Sequence, residues 1–497
     1  MLESIIQSLQ YIKPEAALTA TFLCAILADL IFKKKEITAA VVIAGILVTA
    51  VYVFQQVGER ASVFSRMLAV DPFAIFFKFL ILLSALIIVF FSLFSNEVNN
   101  NKRRIGEYYS LLVAMVIGMF FMVGASNLLM MYLSLELTSI SSYLLAGITK
   151  EARDSAEASL KYVIYGALSS GLMLYGISIV YGLTGALDIY SVNSVLAQGG
   201  TNTITLLIAG ALIVAGFGYK ISAVPFHFWT PDVYEGAPVS ITAFLSVASK
   251  AAGFAMLMRF SKVVFIDSSV LSLPAGMWAT IHGVVWTDIL IILSVITMTL
   301  GNLVAIWQDN VKRLLAYSSI AHAGYMLLGL VVLGNDGFAA TMIYFVMYLF
   351  MNLGAFYVVM LVANKTGSED IETYKGLGSR APLLSVSMTI FLLSLTGIPP
   401  TAGFVGKLYI FAALINAKLI WLAVIGVINS VISLYYYVRI FRNMFLRDAE
   451  GEQAPLTFHF AHTFLLLVLV VPTLALGLYF GPLVEFAQYS VAMFGVK

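Results

Sequence analysis

Runs of about twenty apolar residues, bounded by charge or by turn residues, recur along the whole of this sequence. A helix rises about 1.5 Å per residue, so such a run matches the roughly 30 Å hydrocarbon core of a bilayer. We count about fourteen, near residues 14–32, 37–56, 73–95, 107–124, 127–147, 162–184, 204–224, 238–260, 288–306, 314–333, 338–363, 383–418, 419–446 and 458–484. Lipid offers no partners to backbone N–H and C=O groups, so the spans are expected to be helices. The fold class is therefore an all-α integral membrane protein. With 61% hydrophobic and only 11% charged residues, the chain falls far below the roughly 25% charge of soluble proteins.

Several functions are set aside by composition. The net charge of +2 gives no basic footprint for nucleic acid. The single cysteine, Cys24, cannot close an intrachain disulfide, and no Cys/His cluster has metal-ligand spacing. No haem, iron–sulfur or dinucleotide motif is present, which argues against a direct oxidoreductase. The N-terminal stretch MLESIIQSLQYIK lacks a basic n-region and a cleavage site, and reads as mature sequence entering the first span. No soluble domain is expected. The many Phe and Tyr residues read as lipid contact and interfacial belt.

The twelfth run is too long for one span, and Gly397-Ile398-Pro399-Pro400-Thr401-Ala402-Gly403 interrupts it. Proline removes a backbone donor and clashes with the preceding turn, so two half-helices are expected there. Orientation follows from the loops. Seventeen basic residues, from Lys33 to Arg447, fall in one alternate set. The other set, with the termini, holds seven: Lys13, Arg60, Arg66, Arg259, Lys262, Lys418 and Lys497. The richer set is the cytoplasmic one, and both termini are expected outside.

Charges inside spans are costly, about 2.5–3.5 kcal/mol each at a helix centre, and usually mark a path. Four stand out. Glu136 lies mid-span among Ser134, Thr138, Ser139, Ser141 and Ser142. A merely structural polar cluster would be served by Ser or Asn at less cost. Lys220 is bracketed by Gly216, Gly218 and Pro225, so the seventh span is expected to unwind there. Lys250 sits among small residues, too far from a loop to snorkel easily. Lys407 follows the Pro-Pro break. A phosphate loop is excluded at Lys407, since no strand precedes it and Leu408 stands where Ser or Thr would bind magnesium. His322 is a possible relay or a satisfied core histidine; both readings stand. Lys78 is expected to snorkel outward, and Asp29 to pair with Lys33 at the surface.

Broken spans seven and twelve lie five spans apart. A five-helix unit inserts upside down when repeated, so spans four to eight and nine to thirteen are expected to be inverted repeats. The expected organisation is 1–106 (helices one to three), 107–262 (repeat one), 288–446 (repeat two) and 447–497 (helix fourteen).

The stretch Lys220 to Pro238, KISAVPFHFWTPDVYEGAP, resembles the signature of the antiporter-like membrane subunits of respiratory complex I. SSIAHAGY (318–325), LSLTGIPPTAGFVGK (393–407) and LSLELTSISSYLL (133–145) also match that family. DVYEGAP together with a lysine in the broken twelfth span resembles its bacterial subunit N branch. The middle antiporter-like subunit typically has glutamate where Lys407 stands. The resemblance covers essentially the whole chain. It implies a proton channel through Glu136, Lys220, Lys250 and Lys407, with His322 assisting a water chain. It also implies partner membrane subunits in a hetero-oligomer of the bacterial inner membrane, with FMN, iron–sulfur clusters, NADH and quinone all held by other subunits. The alternatives are a subunit of a multi-subunit sodium/proton antiporter, a solute permease and a pumping-inactive structural subunit. An antiporter would want further intramembrane carboxylates, a permease a second polar cluster, and the retained lysines argue against the last.

Overall fold

Each apolar run forms a helix in the computed structural model, which describes residues 2–32, 35–100, 104–149, 151–267, 270, 277–281, 285–448 and 454–495. The spanning helices are α1 (Lys13–Ile31), α2 (Lys35–Gln55), α3 (Pro72–Phe94), α4 (Ile105–Gly124), α5 (Leu128–Ala146), α6 (Arg153–Thr184) and α7 (Thr203–Ile221). They continue with α8 (Val239–Val264), α9 (Trp286–Ala305), α10 (Val311–Val331) and α11 (Asn335–Thr366). The twelfth crossing is divided into α12a (Pro382–Thr396) and α12b (Ala402–Asn416), and α13 (Ile420–Leu446) and α14 (Phe460–Leu478) follow. Among the described residues, thirteen helices are long and apolar enough to cross a membrane, and the two halves of α12 share the remaining crossing. The only sheet described is a two-stranded hairpin between α2 and α3, β1 (Ala61–Val63) with β2 (Leu68–Val70).

Two expectations about the helices need adjustment. Helix α6 begins at Arg153 rather than near 162, because its first turns carry Arg153, Asp154, Glu157 and Lys161 beyond the apolar part. Helix α7 does not unwind at Lys220. It stays helical through Ile221, and Ser222 (φ 62°) ends it before the irregular stretch that leads to the short helix Trp229–Gly236. Gly216 and Gly218 serve close packing instead: a Cβ would meet Met173 at 2.4 Å and Phe226 at 2.5 Å, respectively. The pairing of Asp29 with Lys33 lies outside the described residues.

The inverted repeat is written into one hydrogen-bond motif used twice. Thr184-Gly185-Ala186-Leu187-Asp188-Ile189 ends α6, and Thr366-Gly367-Ser368-Glu369-Asp370-Ile371 ends α11. Both helices are 32 residues long and are capped by left-handed glycines, Gly185 (φ 67°) and Gly367 (φ 73°). Glycine takes this conformation without the Cβ penalty. The Thr184 hydroxyl donates to the Val180 and Ala186 carbonyls, and Thr366 does the same to Val362 and Ser368. Leu128 N–H donates to Leu187 O, and Val311 N–H to Glu369 O. Ile189 N–H donates to Ser126 O, and Ile371 N–H to Asp309 O. Five crossings separate the two motifs, so they lie on opposite faces. The ends of α6 and α11 are thus the same cap on opposite faces, the arrangement expected if α4–α8 and α9–α13 are inverted copies of one unit.

Two buried ion pairs hold helices α1–α3, one within them and one to this unit. Lys78 does not snorkel; it is buried and pairs with Glu15 of α1 at 2.6 Å. A buried ammonium needs a partner in low dielectric, and the linear pattern of α3 alone did not show that Glu15 supplies it. Arg259 and Lys262, expected in an outer loop, lie inside α8 and are buried. Arg259 grips Asp71 with two bonds of 2.7 and 2.9 Å and also donates to Val123 O. The Asp71 carboxylate further accepts from Ala74 N–H, capping α3, and from Phe494 N–H. Removing one partner of such a pair leaves an uncompensated buried charge, at a cost of about 3–5 kcal/mol. Asp71→Asn should therefore strongly destabilise the fold, whereas Asp71→Leu with Arg259→Met should be tolerated far better. Thermal unfolding in mild detergent checks this; equal midpoints for the two variants would contradict it.

Candidate functional site

The three lysines singled out in the sequence lie inside the bundle, each bonded to neutral oxygen atoms. Lys220, near the end of α7, donates to Ser139 Oγ of α5 at 3.2 Å. Ser139 lies three residues beyond Glu136, on the same side of that helix. Among the described residues no ion pair forms between Lys220 and Glu136, so the two are linked through the face of α5 rather than in direct contact. Glu136 is partly exposed, and its buried Oε1 has no hydrogen-bond partner among the described residues. The stem of Lys220 passes over Gly253 of α8, where a Cβ would come within 3.1 Å of Lys220 Cγ. A side chain there would push Lys220 aside.

Lys250 is central in α8, directly after a π-helical turn, Leu245–Ser249. Its ammonium donates to both the carbonyl and the hydroxyl of Ser319 on α10, each at 2.9 Å. A second run of bonds starts at the adjacent Ser318, while the Ser319 hydroxyl itself donates to Ala316 O. Ser318 Oγ meets the Tyr437 hydroxyl at 2.5 Å, Tyr437 meets His322 Nε2 at 3.3 Å, and His322 Nδ1 meets the Tyr344 hydroxyl at 2.6 Å. The His322 ring also packs beside Tyr325, 5.7 Å between centroids. Lys407 lies over the Tyr325 ring at 4.4 Å. It donates to Leu395 O, Thr396 O and Ser430 Oγ at 3.1, 2.9 and 3.0 Å. The break after α12a explains these bonds: the last carbonyls of a helix lack intrahelical donors and carry partial negative charge. Gly397 (φ 90°) leaves room for the Lys407 stem, since a Cβ there would meet Lys407 Cδ at 2.9 Å.

The family described as NADH:quinone oxidoreductase/Mrp antiporter, TM, matches residues 125–433, more than half of the chain and all of this bonded region except Tyr437. The chain belongs to this family. It is 50% identical to NADH-quinone oxidoreductase subunit N 2 of Chloroherpeton thalassium, over 97% of this chain and 94% of that one. It is 46% identical to NADH-quinone oxidoreductase subunit N of Chlorobium chlorochromatii, over 100% and 98%. Among solved structures, a chain of respiratory complex I from Thermus thermophilus with bound aureothin superposes with a TM-score of 0.78 at 30% identity, covering 96% of this chain and 99% of that one.

Several polar groups of this family member escaped the sequence reading. Tyr325, Tyr344, Tyr348 and Tyr437 are not an interfacial belt; all are buried around His322. Tyr344 and Tyr348 are four residues apart on α11, and Tyr325 is three residues from His322 on α10, spacings equally suited to core packing. Among the described residues, no group of three or more His, Cys, Asp or Glu side chains could hold a metal ion.

A second cluster joins the repeats at the face that carries most of the basic loops. Asp232, in the short helix after α7, takes Lys161 of α6 at 2.6 Å and Arg313 of α10 at 2.7 Å. Arg313 also holds Glu235 at 2.7 Å, and Lys312 holds Glu369 at 2.8 Å. Burial would raise the Asp232 carboxyl, but hydrogen bonds from Lys161 and Arg313 outweigh it and hold the group below its ordinary value. A depressed carboxyl contributes stability above its unfolded value, near pH 4, and loses it as pH falls through the folded value. Asp232→Asn should thus lower the unfolding temperature at pH 7 more than at pH 3. An equal loss at both pH values, read by thermal unfolding in detergent, would exclude the ion cluster as its cause.

Proposed function

We propose that this chain is the proton-translocating membrane subunit of an NADH:quinone oxidoreductase of a bacterial inner membrane. Quinone reduction takes place in partner subunits, which hold FMN, iron–sulfur clusters, NADH and quinone. This chain carries the proton path. The observation that supports the reading best is the side-chain line through Lys250, Ser319, Ser318, Tyr437 and His322 towards Tyr325 and Lys407, enclosed in protein and drawn from both repeats. Full-length identity to two subunit N chains points to the same function.

In this mechanism Lys220 is loaded from the cytoplasmic side, with the Glu136 carboxylate favouring the charged amine. Movement of Glu136 charge towards a neighbouring subunit withdraws that support, and the proton passes to Lys250. The serine, tyrosine and histidine groups bridge Lys250 to Lys407, which releases the proton outside. Lys250 and Lys407 rest on neutral oxygens, so neither protonation state leaves a carboxylate stranded there. Residues 107–262 and 288–446 then form the loading and releasing halves.

Lys220→Met should lower NADH-driven proton uptake into inverted vesicles by about tenfold or more, the scale of losing a positioned acid–base group. Glu136→Gln should impair uptake, and Glu136→Asp only partly. Glu136→Gln with Lys220→Met should not restore it. A double variant that assembles on native gels and pumps at the normal rate would refute the path.

Orientation is part of the proposal. With Arg259 and Lys262 buried in α8, five of the seven basic residues assigned to the outer side remain there, against seventeen on the other. A reporter that fluoresces only in the cytoplasm, fused after Lys497, should stay dark. A bright fusion would reverse the topology.

A further inference from the structure

Helix α8 is buried along its whole described length, and both of its ends are fixed. Towards its start, Tyr108 donates to Ser240 Oγ at 3.0 Å, and Thr242 Oγ1 donates to Tyr234 O at 2.9 Å. Towards its end, Arg259 holds Asp71, and Trp286 Nε1 donates to Ser261 Oγ at 3.0 Å. The π-turn Leu245–Ser249 lies between these anchors. Such a turn amounts to one extra residue in an α-helix. At about 3.6 residues per turn, one residue rotates all that follows by about 100°. Whether this turn is kept therefore decides which way Lys250, the next residue, points.

One side chain from the other repeat reaches the turn. Asn352 of α11, fully buried, donates from Nδ2 to Ser246 Oγ at 2.6 Å. Ser246 in turn donates to Ala243 O at 2.7 Å, at the head of the π-turn. A short amide-to-hydroxyl bond between buried groups is geometrically exacting, and its loss leaves a buried donor unsatisfied. No other side-chain hydrogen bond from another helix lands on residues 245–249 among the described residues. The bond thus clamps the extra residue from across the interface between the repeats.

We propose that Asn352 is a positioning residue for Lys250: through Ser246 it holds the π-turn, and so aims the ammonium at Ser319. The geometry stands by itself; the effect on pumping rests on Lys250 being a proton carrier. The test uses the assembled complex in its membrane. In a Cys24→Ser background, Lys250→Cys and Ser319→Cys are introduced together and joined with an ethane-bridged bis-methanethiosulfonate. The joined peptides are quantified by mass spectrometry, with and without Asn352→Leu. Separately, NADH-driven proton uptake is measured for Asn352→Leu with Lys250 intact. The expected result is a several-fold fall both in joined product and in proton uptake. Joining that is unchanged by Asn352→Leu overturns the positioning role, whatever pumping does. Joining that falls while pumping stays normal supports the positioning role and overturns Lys250 as a carrier. If Asn352→Leu does not assemble, Ser246→Ala removes the same bond from the other side and is read in the same way.

Discussion

No water hydrates an ammonium in the bilayer interior, so every buried cation of this chain must be held by oxygen atoms of its own fold. The cations divide by the kind of oxygen they find. Lys78, Arg259 and Lys312 each have a carboxylate within 3 Å. Lys220, Lys250 and Lys407 have only hydroxyls, carbonyls and aromatic faces among the described residues. In the first group the cation and a buried anion neutralise one another in low dielectric. In the second group no carboxylate is bonded to the ammonium among the described residues. Lys262 resembles the second group, with Val491 O and the Trp278 ring as its partners, but it lies at the end of α8 beside the Asp71–Arg259 pair.

The same constraint shapes the backbone. Breaking a helix inside a bilayer exposes carbonyls that only another part of the protein can satisfy. In α12 the freed carbonyls of Leu395 and Thr396 are taken up by Lys407, which reaches back across the break. In α7 the Tyr219 carbonyl accepts from Trp229 Nε1 beyond the break, and the helix ends in a left-handed serine. The repeats thus share topology and the threonine-glycine cap, yet treat their breaks differently. In repeat two the lysine lies beyond the break and neutralises it; in repeat one the lysine lies before the break and points across to α5.

Much of this was legible in the sequence. Span length and charge scarcity follow from the thickness of the bilayer, so the spanning helices were found within a few residues, apart from the start of α6 and the end of α14, which stops at Leu478 rather than near 484. The Pro-Pro break is equally local. The six-residue motif Thr-Gly-x-x-Asp-Ile was visible twice, at 184–189 and 366–371, and supports the repeat; it was missed because both copies fall in turns between spans. The tyrosines around His322 were misread because an aromatic residue at a core-facing position looks the same in sequence whether or not its hydroxyl is bonded.

The linear pattern by itself determined that the chain spans a membrane, where its helices lie and which lysines are out of place, because each of these depends only on residues near one another in the chain. The tertiary structure alone decided which of those charges are neutralised. Glu15 and Lys78 are 63 positions apart, Asp71 and Arg259 188, and Lys250 and Ser319 69. Electrostatic partnership depends on distance in space, and only the packing of the helices brings these groups within hydrogen-bond reach.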